Sequence, residues 1–236
     1  MENIKNKLII ITGASKGIGR TTALKLAKAG AKLVLVSRSI KDLQKVEKEL
    51  GTADYLLIEG DVADEKTCIK LVDETFRKYG RIDILINNAA QFARGKVLDL
   101  SLEDFDRVIN ANLRAPFMLS KLVLPHMINQ NEGTILNISS TSGKRGYEGG
   151  ALYAASKFAL NGFSECLLKE VRQHNIRVIT ISPSMVDTKI KSENEIRASG
   201  KGVFMRMEDV ADSILYALNL PQRALIKDIE IWGTNP

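Results

Sequence analysis

The stretch Leu8 to Gly19 reads Leu-Ile-Ile-Ile-Thr-Gly-Ala-Ser-Lys-Gly-Ile-Gly and decides the fold. Its apolar start, which no polar residue interrupts, predicts a strand that is buried on both faces. A helical pattern begins at Arg20, so Gly13, Gly17 and Gly19 lie between a strand and a helix N-terminus. The free N–H groups of such a helix bind anions, and glycine lets a pyrophosphate approach the backbone. The stretch therefore predicts a dinucleotide site, with a flexible turn as the structural alternative.

Composition and charge limit the function classes. The chain has 236 residues, of which 44% are hydrophobic and 26% charged, as in a globular protein with a sizeable core. The net charge of +6 comes from lysines and arginines interleaved with acids, as in residues 45–49, so no nucleic-acid partner is expected. No stretch has the pattern of a signal peptide or a membrane span, so no membrane partner is expected either. Cys68 and Cys166 have no nearby partner, which favours a cytoplasmic protein without a disulfide framework or metal site.

Strand and helix patterns alternate along the whole chain. Further strands are predicted at 32–36, 55–58, 82–86, 134–138, 177–181 and 225–231. Further helices are predicted at 39–51, 64–79, 101–129, 152–174 and 208–218, with Pro116 and Pro125 expected to bend or cut the long one. This order predicts an α/β fold: a single doubly wound Rossmann-type domain over 1–236, with a parallel seven-stranded sheet flanked by helices. The polar segment at about 184–207 lacks periodicity and is predicted to be a substrate-loop insertion.

Ser37 and Arg38, at the end of the second strand, indicate which dinucleotide binds. An acidic residue about 20 positions after the glycine turn would accept from a ribose 2′-OH and repel a 2′-phosphate. Here that place holds Ser37, followed by Arg38, and Lys16 lies in the turn itself. A guanidinium binds phosphate through two hydrogen bonds, so NADP(H) is predicted over NAD(H). An exposed arginine at a strand end is the structural alternative.

Tyr153 and Lys157 are the candidate chemical groups, because residues four apart on a helix share one face. A phenol has a pKa near 10, about three units too high for a base at neutral pH. A nearby ammonium favours the phenolate, and an oxidised nicotinamide would add a second positive charge. As a bare pattern, Tyr-x3-Lys on a helix is common and usually structural.

Four motifs together resemble the short-chain dehydrogenase/reductase family. They are Thr-Gly-Ala-Ser-Lys-Gly-Ile-Gly at 12–19, Asp-Val at 61–62, Asn-Asn-Ala-Ala at 87–90 and Tyr-Ala-Ala-Ser-Lys at 153–157. The resemblance covers nearly the whole chain, from Lys7 to about Val186. It implies a hydride transfer between a nicotinamide cofactor and a carbonyl or alcohol.

The family's catalytic tetrad is matched in identity, order and spacing by Asn112, Ser140, Tyr153 and Lys157. Ser140 is preferred to its neighbour Ser139 because its spacing to Tyr153 fits the family pattern. The resemblance implies that Tyr153 donates a proton to a carbonyl oxygen held by Ser140. Lys157 would lower the phenol pKa and hold the nicotinamide ribose, and Asn112 would fix a water in the proton relay.

Residues expected to bind the cofactor lie in the glycine turn, at the strand ends and on the catalytic helix. They are Gly13, Ser15, Lys16, Gly17, Ile18, Gly19, Ser37, Arg38, Asp61, Val62, Asn88, Ala89, Tyr153, Lys157, Pro183, Val186 and Thr188. Asp61 is expected to accept from the adenine amino group, and the resemblance implies that Val186 and Thr188 seat the carboxamide. Two positions depart from the family pattern, since Ala90 and Ser184 stand where glycine is usual. If the backbone at 184 needed a positive φ, serine would cost about 1 kcal/mol.

The expected activity is an NADP(H)-dependent reduction of a small-molecule carbonyl compound, or the reverse oxidation of a secondary alcohol. The alternative is a 3-oxoacyl-[acyl-carrier-protein] reductase, because loops around the predicted pocket carry cations such as Arg94, Lys96, Lys144 and Arg206 that would attract an acidic carrier. Those cations are equally consistent with a solvated surface, and the Asp-Gly-Gly ending usual in such reductases is missing. The ending instead resembles the NADP(H)-preferring branch of the family that reduces short hydroxy-acid, keto or general carbonyl compounds. A non-catalytic dinucleotide sensor is a third reading, but it would be expected to lose Tyr153 or Lys157.

The two long helices predicted at 101–129 and 152–174 carry apolar residues on more than one face. An excess beyond one stripe indicates a partner surface. Members of the family that this chain resembles often form dimers or tetramers through these two helices. A homo-oligomer is therefore expected, a tetramer or a dimer.

Overall fold

Seven parallel strands form one sheet in the computed structural model, which describes residues 3–187 and 205–234. The strands of this sheet are β1 (Leu8–Thr12), β2 (Lys32–Ser37), β3 (Tyr55–Glu59), β4 (Ile84–Asn87), β5 (Gly133–Ile138), β6 (Ile176–Pro183) and β9 (Asp228–Ile231). The helices are α1 (Gly17–Lys28), α2 (Ile40–Glu47), α3 (Glu65–Tyr79), α4 (Leu102–Ile109), α5 (Ala115–Gln130), α6 (Ala151–Val171) and α7 (Met207–Asn219). A separate two-stranded parallel pair joins β7 (Val186–Asp187) to β8 (Met205–Arg206).

The strand β1 lies in the middle of the sheet and is buried on both faces. Ile9 and Ile11 pack into the core shared with α1, α2 and α7, whereas Leu8 and Ile10 pack into the core shared with α3, α5 and α6. All four are fully buried, and each buried side chain of this size contributes about 2–3 kcal/mol. A strand covered by helices on both sides has no polar face, which explains the continuous apolar run.

The strand order is β3-β2-β1-β4-β5-β6-β9, and every neighbouring pair is parallel. The chain winds outward from β1 in one direction and then from β4 in the other, so the order reverses between these two strands. Such a reversal opens a crevice at the carboxyl ends of the strands. The predicted α/β doubly wound fold with a parallel seven-stranded sheet is confirmed, and the single domain over 1–236 stays a prediction.

The helix predicted over 101–129 is interrupted, but not at its prolines. A π-helical turn over Asn110–Arg114 separates α4 from α5. Pro116 is the second residue of α5 and cannot donate to the Asn112 carbonyl in the preceding turn, whereas Pro125 lies inside α5 without ending it. Single π-helical turns inside helices often mark functional sites.

Two other expectations differ in detail or extent. The last strand begins at Asp228 rather than at 225, and most of the predicted substrate loop at 184–207 lies outside the described residues. None of the helices within 3–187 and 205–234 combines the length and apolarity that crossing a membrane requires. The cytoplasmic location stays a prediction.

Candidate active site

The glycine turn borders a cavity of about 640 Å³ at the carboxyl ends of β1, β2, β3 and β4. Its lining includes eleven of the predicted cofactor residues: Gly13, Ser15, Lys16, Gly17, Ile18, Ser37, Arg38, Asp61, Val62, Asn88 and Ala89. Gly19 serves the turn differently, since a Cβ there would lie 2.5 Å from both Asn88 Nδ2 and the Gly13 carbonyl. Gly17 has a φ of +59°, and a Cβ there would meet nothing within 4 Å. At Gly19 the turn is therefore tightly packed against Asn88 and Gly13, whereas at Gly17 it is open on the cavity side.

The N-terminus of α1 faces this cavity with an uncompensated positive end. Lys16 is its N-cap, with an extended backbone and no side-chain capping hydrogen bond, and the first turn carries no acidic residue. Free N–H groups and the helix dipole at such an end attract an anion. The geometry matches what the sequence predicts for a phosphate site.

Arg38 is exposed at the cavity, and no described residue forms an ion pair with it. Ser37 is buried, and its hydroxyl donates to the Ser39 carbonyl and accepts from the Ser39 N–H. Asp42 also lines the cavity, and a hydrogen bond from Lys45 at 2.7 Å lowers the pKa of its carboxyl. Asp42 is not among the predicted site residues, and its only sequence signal is its place three residues after the N-cap Ser39.

Asn88 and Ala89 tie the end of β4 to the end of β1. The Asn88 side chain donates to the carbonyls of Thr12 at 2.8 Å and Gly13 at 3.3 Å. The backbone N–H groups of Asn88 and Ala89 both donate to the Thr12 hydroxyl at 2.9 Å. At the next strand end, the Asp61 carboxylate accepts from the Ala63 N–H at 3.0 Å. Asn88 therefore holds the cavity wall in place by bridging two strands.

Tyr153 lies on the first turn of α6, beside Ser140 at the end of β5. The ring of Tyr153 is half-buried and meets the Phe92 ring edge-on at 4.9 Å between centroids. Burial raises the pKa of the Tyr153 phenol, a hydrogen bond with Ser140 lowers it, and nearby Tyr147 raises it. The Ser140 hydroxyl also accepts from the Ser142 N–H at 3.1 Å. Lys157 is not among the groups that shift this pKa, and the net direction is upward because burial is the largest cause.

Lys157 is buried one helical turn beyond Tyr153. Its Nζ donates to the carbonyl of Ile138 at 2.8 Å and lies 5.7 Å from the centroid of the Tyr153 ring. Burial lowers the pKa of this ammonium from 10.5 to about 8. An ammonium has three donors, and the described residues accept from Lys157 at the Ile138 carbonyl alone. Two N–H groups are therefore left for a ligand.

Asn112 lies in the π-helical turn and is fully buried. Its side-chain oxygen accepts from the Gln91 N–H at 2.7 Å, and its amide donates to the Gln91 carbonyl at 2.9 Å and to the Ser156 hydroxyl at 3.0 Å. Ser156 in turn donates to the Tyr153 carbonyl at 2.7 Å. The Asn112 side chain thus joins the loop after β4 to α6. An α-helical bond to the Asn112 carbonyl would come from residue 116, which is a proline without an N–H.

The predicted nicotinamide end is described in part. Pro183 ends β6, and its carbonyl accepts from the Ser140 hydroxyl at 3.5 Å, whereas Val186 lies in β7 and packs on the core. Thr188 lies outside the described residues. Ser184 and Ala90 do not have a positive φ, so replacement of the usual glycine causes no backbone strain at either position.

Two aromatic residues beside Tyr153 were not predicted as site residues. The Tyr147 ring lies over Gly150, and a Cβ at Gly150 would overlap it. Phe92 is half exposed next to Tyr153. Both lie in loops without periodicity, so no local sequence signal could have found them. Among the described residues, no group of three or more His, Cys, Asp or Glu side chains is arranged to hold a metal ion.

Comparison with known proteins gives consistent matches over nearly the full length. The model of the short chain dehydrogenase family matches residues 7–198. An NADP-dependent 3-hydroxy acid dehydrogenase of Schizosaccharomyces pombe is 33% identical over 250 residues, covering 100% of this chain and 95% of the relative. An uncharacterized oxidoreductase of Staphylococcus epidermidis is 30% identical over 231 residues, covering 98% and 99%. The crystal structure of a metagenomic short-chain oxidoreductase in complex with NADP has a TM-score of 0.86 and 29% identity, covering 98% and 99%.

Proposed function

Because the chain belongs to the short-chain dehydrogenase family, whose model spans residues 7–198, we propose that it is an NADP(H)-dependent carbonyl reductase acting on a small molecule, or an alcohol dehydrogenase in reverse. The observation that carries the proposal is the grouping of Ser140, Tyr153 and Lys157 at the carboxyl ends of the strands. This group lies at the same edge of the sheet as the glycine-lined cavity.

NADP(H) is the cofactor that these residues fit. The open side of Gly17 and the uncapped end of α1 suit a pyrophosphate, which needs close approach to backbone N–H groups. Arg38 and Lys16 supply positive charge at the cavity for a 2′-phosphate, without an ion-pair partner among the described residues. The NADP named for the yeast relative and for the metagenomic structure supports the same choice.

The bound cofactor would supply a hydride to the carbonyl carbon, so that a carbonyl compound, NADPH and a proton give a secondary alcohol and NADP⁺. Tyr153 donates the proton to the carbonyl oxygen, and its raised pKa keeps the phenol protonated at neutral pH. Ser140 donates a hydrogen bond to the same oxygen. The two open donors of Lys157 hold ribose hydroxyls, and its positive charge stabilises the phenolate that Tyr153 becomes.

Asn112 is a positioning residue in this proposal. Its side-chain hydrogen bonds are used by Gln91 and Ser156, so the side chain itself fixes the geometry of the site. The backbone carbonyl of Asn112, which residue 116 cannot bond, is the group that would hold a water in the proton relay.

The test is steady-state oxidation of NADPH, followed by absorbance, with a panel of ketones and with NADH in parallel. The wild-type protein is expected to reduce ketones with NADPH in preference to NADH. Tyr153→Phe removes the proton donor and is expected to lower kcat by about 10²–10⁴-fold. Phe92→Leu, next to the same ring, serves as the matched control for packing and is expected to keep far more activity. Undiminished turnover in Tyr153→Phe, or no turnover of any ketone by the wild type, would refute the proposal.

The acyl-carrier alternative loses support from two cations of the loop before α6. Lys144 forms ion pairs with Asp228 and Glu230, and the Arg145 guanidinium lies 5.1 Å from the centroid of the Trp232 ring. These side chains are engaged within the protein and offer less charge to an acidic carrier. The sensor alternative lacks support too, because Tyr153 and Lys157 are both present and lie together.

We also propose that the enzyme is a homo-oligomer, a tetramer or a dimer. Large apolar side chains on α4, α5 and α6 are more than 40% exposed, among them Leu102, Phe105, Phe117 and Phe158. Such a concentration of exposed apolar surface is typical of a protein–protein interface. Light scattering that gives a monomer mass at micromolar concentration would contradict this proposal.

A further inference from the structure

Arg94 is an exposed cation beside the candidate active site, in the loop that follows β4. Phe92, two residues earlier, contacts the Tyr153 ring, and Ala93 between them is buried. Phe92 and Arg94 therefore project from the same outer side of the loop. A Cβ on Gly149 would lie 3.6 Å from Arg94 Cγ and 3.9 Å from its Nε, so the side chain runs across Gly149 at the entry to α6.

The loop that carries Arg94 is anchored on both sides. Gln91 is held by the Asn112 side chain, and the Gly95 N–H donates to the Gly149 carbonyl at 3.1 Å. Arg107 donates to the Phe92 carbonyl at 3.3 Å. A binding group on a loop held at three points is pre-organised, which lowers the entropy lost when a ligand binds.

The guanidinium of Arg94 differs from the cations of the loop that precedes α6. Lys144 is paired with two carboxylates, and Arg145 lies over an indole ring. Within residues 3–187 and 205–234, no carboxylate forms an ion pair with Arg94, and no acceptor hydrogen-bonds to its side chain. Its planar fork of N–H donors is therefore without a partner among the described residues, and it matches the geometry of a carboxylate.

We propose that Arg94 binds the carboxylate of the substrate, so that the enzyme prefers oxo acids and hydroxy acids to neutral ketones and alcohols. This inference rests on the proposed function, because it assigns the substrate class of the same site. The carbonyl lies between Ser140 and Tyr153, and the acid end of the substrate extends past the Phe92 ring toward Arg94.

The test compares two substrates that share a ketone and differ in whether the other end is charged. Acetoacetate and methyl acetoacetate present the same ketone, one beside a carboxylate and one beside an ester. Steady-state NADPH oxidation is measured for the wild type, Arg94→Ala, Arg94→Lys and Lys96→Ala. Lys96→Ala is the matched control, since Lys96 is an exposed cation of the same loop and its loss changes the net charge equally.

The wild type is expected to prefer the acid over the ester in kcat/KM. Arg94→Ala should lower this acid-to-ester ratio by at least about tenfold, mainly through KM, because a charge-assisted hydrogen bond is lost. Arg94→Lys should retain part of the ratio, and Lys96→Ala should change it by less than about twofold. Equal changes in the Arg94→Ala and Lys96→Ala ratios would overturn the inference, as would an equal loss of acid and ester activity in Arg94→Ala.

A binding measurement separates this inference from the proposed function. Saturation-transfer NMR with butyrate and with butyramide reports carboxylate binding without any turnover. Butyrate should give the stronger signal on the wild type and lose it in Arg94→Ala but not in Lys96→Ala. If no ketone is reduced, the proposed function fails, and the butyrate signal still decides the role of Arg94. Butyrate binding that is equal in the wild type and Arg94→Ala would refute that role.

Discussion

Two buried cations lie at opposite edges of the sheet. Lys157 contacts the carboxyl end of β5 and is 2% exposed, whereas Arg177 lies at the amino end of β6 and is 6% exposed. Burial lowers the pKa of both groups, that of Lys157 to about 8. A buried charge costs free energy unless hydrogen bonds or an opposite charge compensate it. The two residues therefore face the same physical problem.

They differ in how many of their donors are used. The Arg177 guanidinium donates to the Thr134 hydroxyl at 3.1 Å and to three backbone carbonyls, those of Leu218, Leu220 and Ala224. Lys157 donates, among the described residues, to the Ile138 carbonyl only. Arg177, with four hydrogen bonds, fixes the C-terminal end of α7 to the sheet. Lys157 keeps donors for a ligand, so the free energy that its burial costs is explained by a binding role and not by stability.

The largest effect should follow from replacing Lys157. Lys157→Met removes the open donors and the charge beside Tyr153, and we expect kcat/KM for ketone reduction to fall by at least about 10²-fold. The same variant should be more stable at pH 7, by about 1–3 kcal/mol, because a pKa lowered from 10.5 to about 8 measures the cost of the buried charge. NADPH oxidation and urea denaturation measure the two effects. Lys169→Met, an exposed lysine of the same helix, is the control and should change neither much.

A lower free energy of unfolding for Lys157→Met than for the wild type would contradict the proposed difference between Lys157 and Arg177. It would mean that the hydrogen bond to Ile138 outweighs the desolvation of the ammonium, and Lys157 would then resemble Arg177.

Replacing Arg177 should have the opposite outcome. Arg177→Met leaves the Thr134 hydroxyl and three carbonyls without their donor, and we expect the free energy of unfolding to fall by about 3 kcal/mol. The kcat/KM of the protein that remains folded should stay within about twofold, since Arg177 lies at the edge of the sheet away from the site. Urea denaturation and the NADPH assay measure both.

Arg223→Met is the matched control for this change, because Arg223 is an exposed arginine in the loop that Arg177 bonds. It should alter the free energy of unfolding by less than about 0.5 kcal/mol. A loss of activity in folded Arg177→Met would show that the amino edge of the sheet is coupled to the site.

Sequence reasoning found the features that a single stretch encodes. The run Leu8 to Gly19 sets a strand, a turn and a helix by itself, and the predicted cofactor residues of the turn other than Gly19 line one cavity. The polar residues at the strand ends met because parallel strands end at one edge of the sheet. Tyr153 and Lys157 came together because helix periodicity alone puts them on one face.

Features that depend on distant partners could not be predicted. Arg177 looks like an ordinary strand residue, and its four acceptors come from other elements of the fold. The roles of Phe92 and Tyr147 arise from loops that tertiary packing brings to Tyr153. The π-helical turn at Asn112 depends on hydrogen bonds to Gln91 and Ser156 as well as on local sequence. Sequence periodicity predicts secondary-structure elements and their buried faces. It does not predict which hydrogen-bond donors meet acceptors from distant parts of the chain.

The smallest expected effect is a pH dependence of stability that only one of the two cations should show. Between pH 8 and 10.5 the unfolded chain still holds a proton on Lys157 that the folded chain has begun to release. Stability rises with pH wherever the unfolded state binds more protons, so this group should add about 2 kcal/mol between pH 7 and 10. Below pH 8 both states are protonated, and the full cost of the buried charge remains.

Urea denaturation at pH 7 and at pH 9.5 measures this rise. The change in the free energy of unfolding between the two pH values includes a contribution from every titrating group. We therefore subtract the change measured for Lys157→Met from the change measured for the wild type. That difference should be positive, and Arg177→Met should keep the wild-type change because a guanidinium stays charged across this range. A difference of zero would mean that hydrogen bonds compensate the burial of the Lys157 ammonium as well as that of Arg177. The unequal number of donors in use would then not distinguish a ligand-binding cation from a structural one.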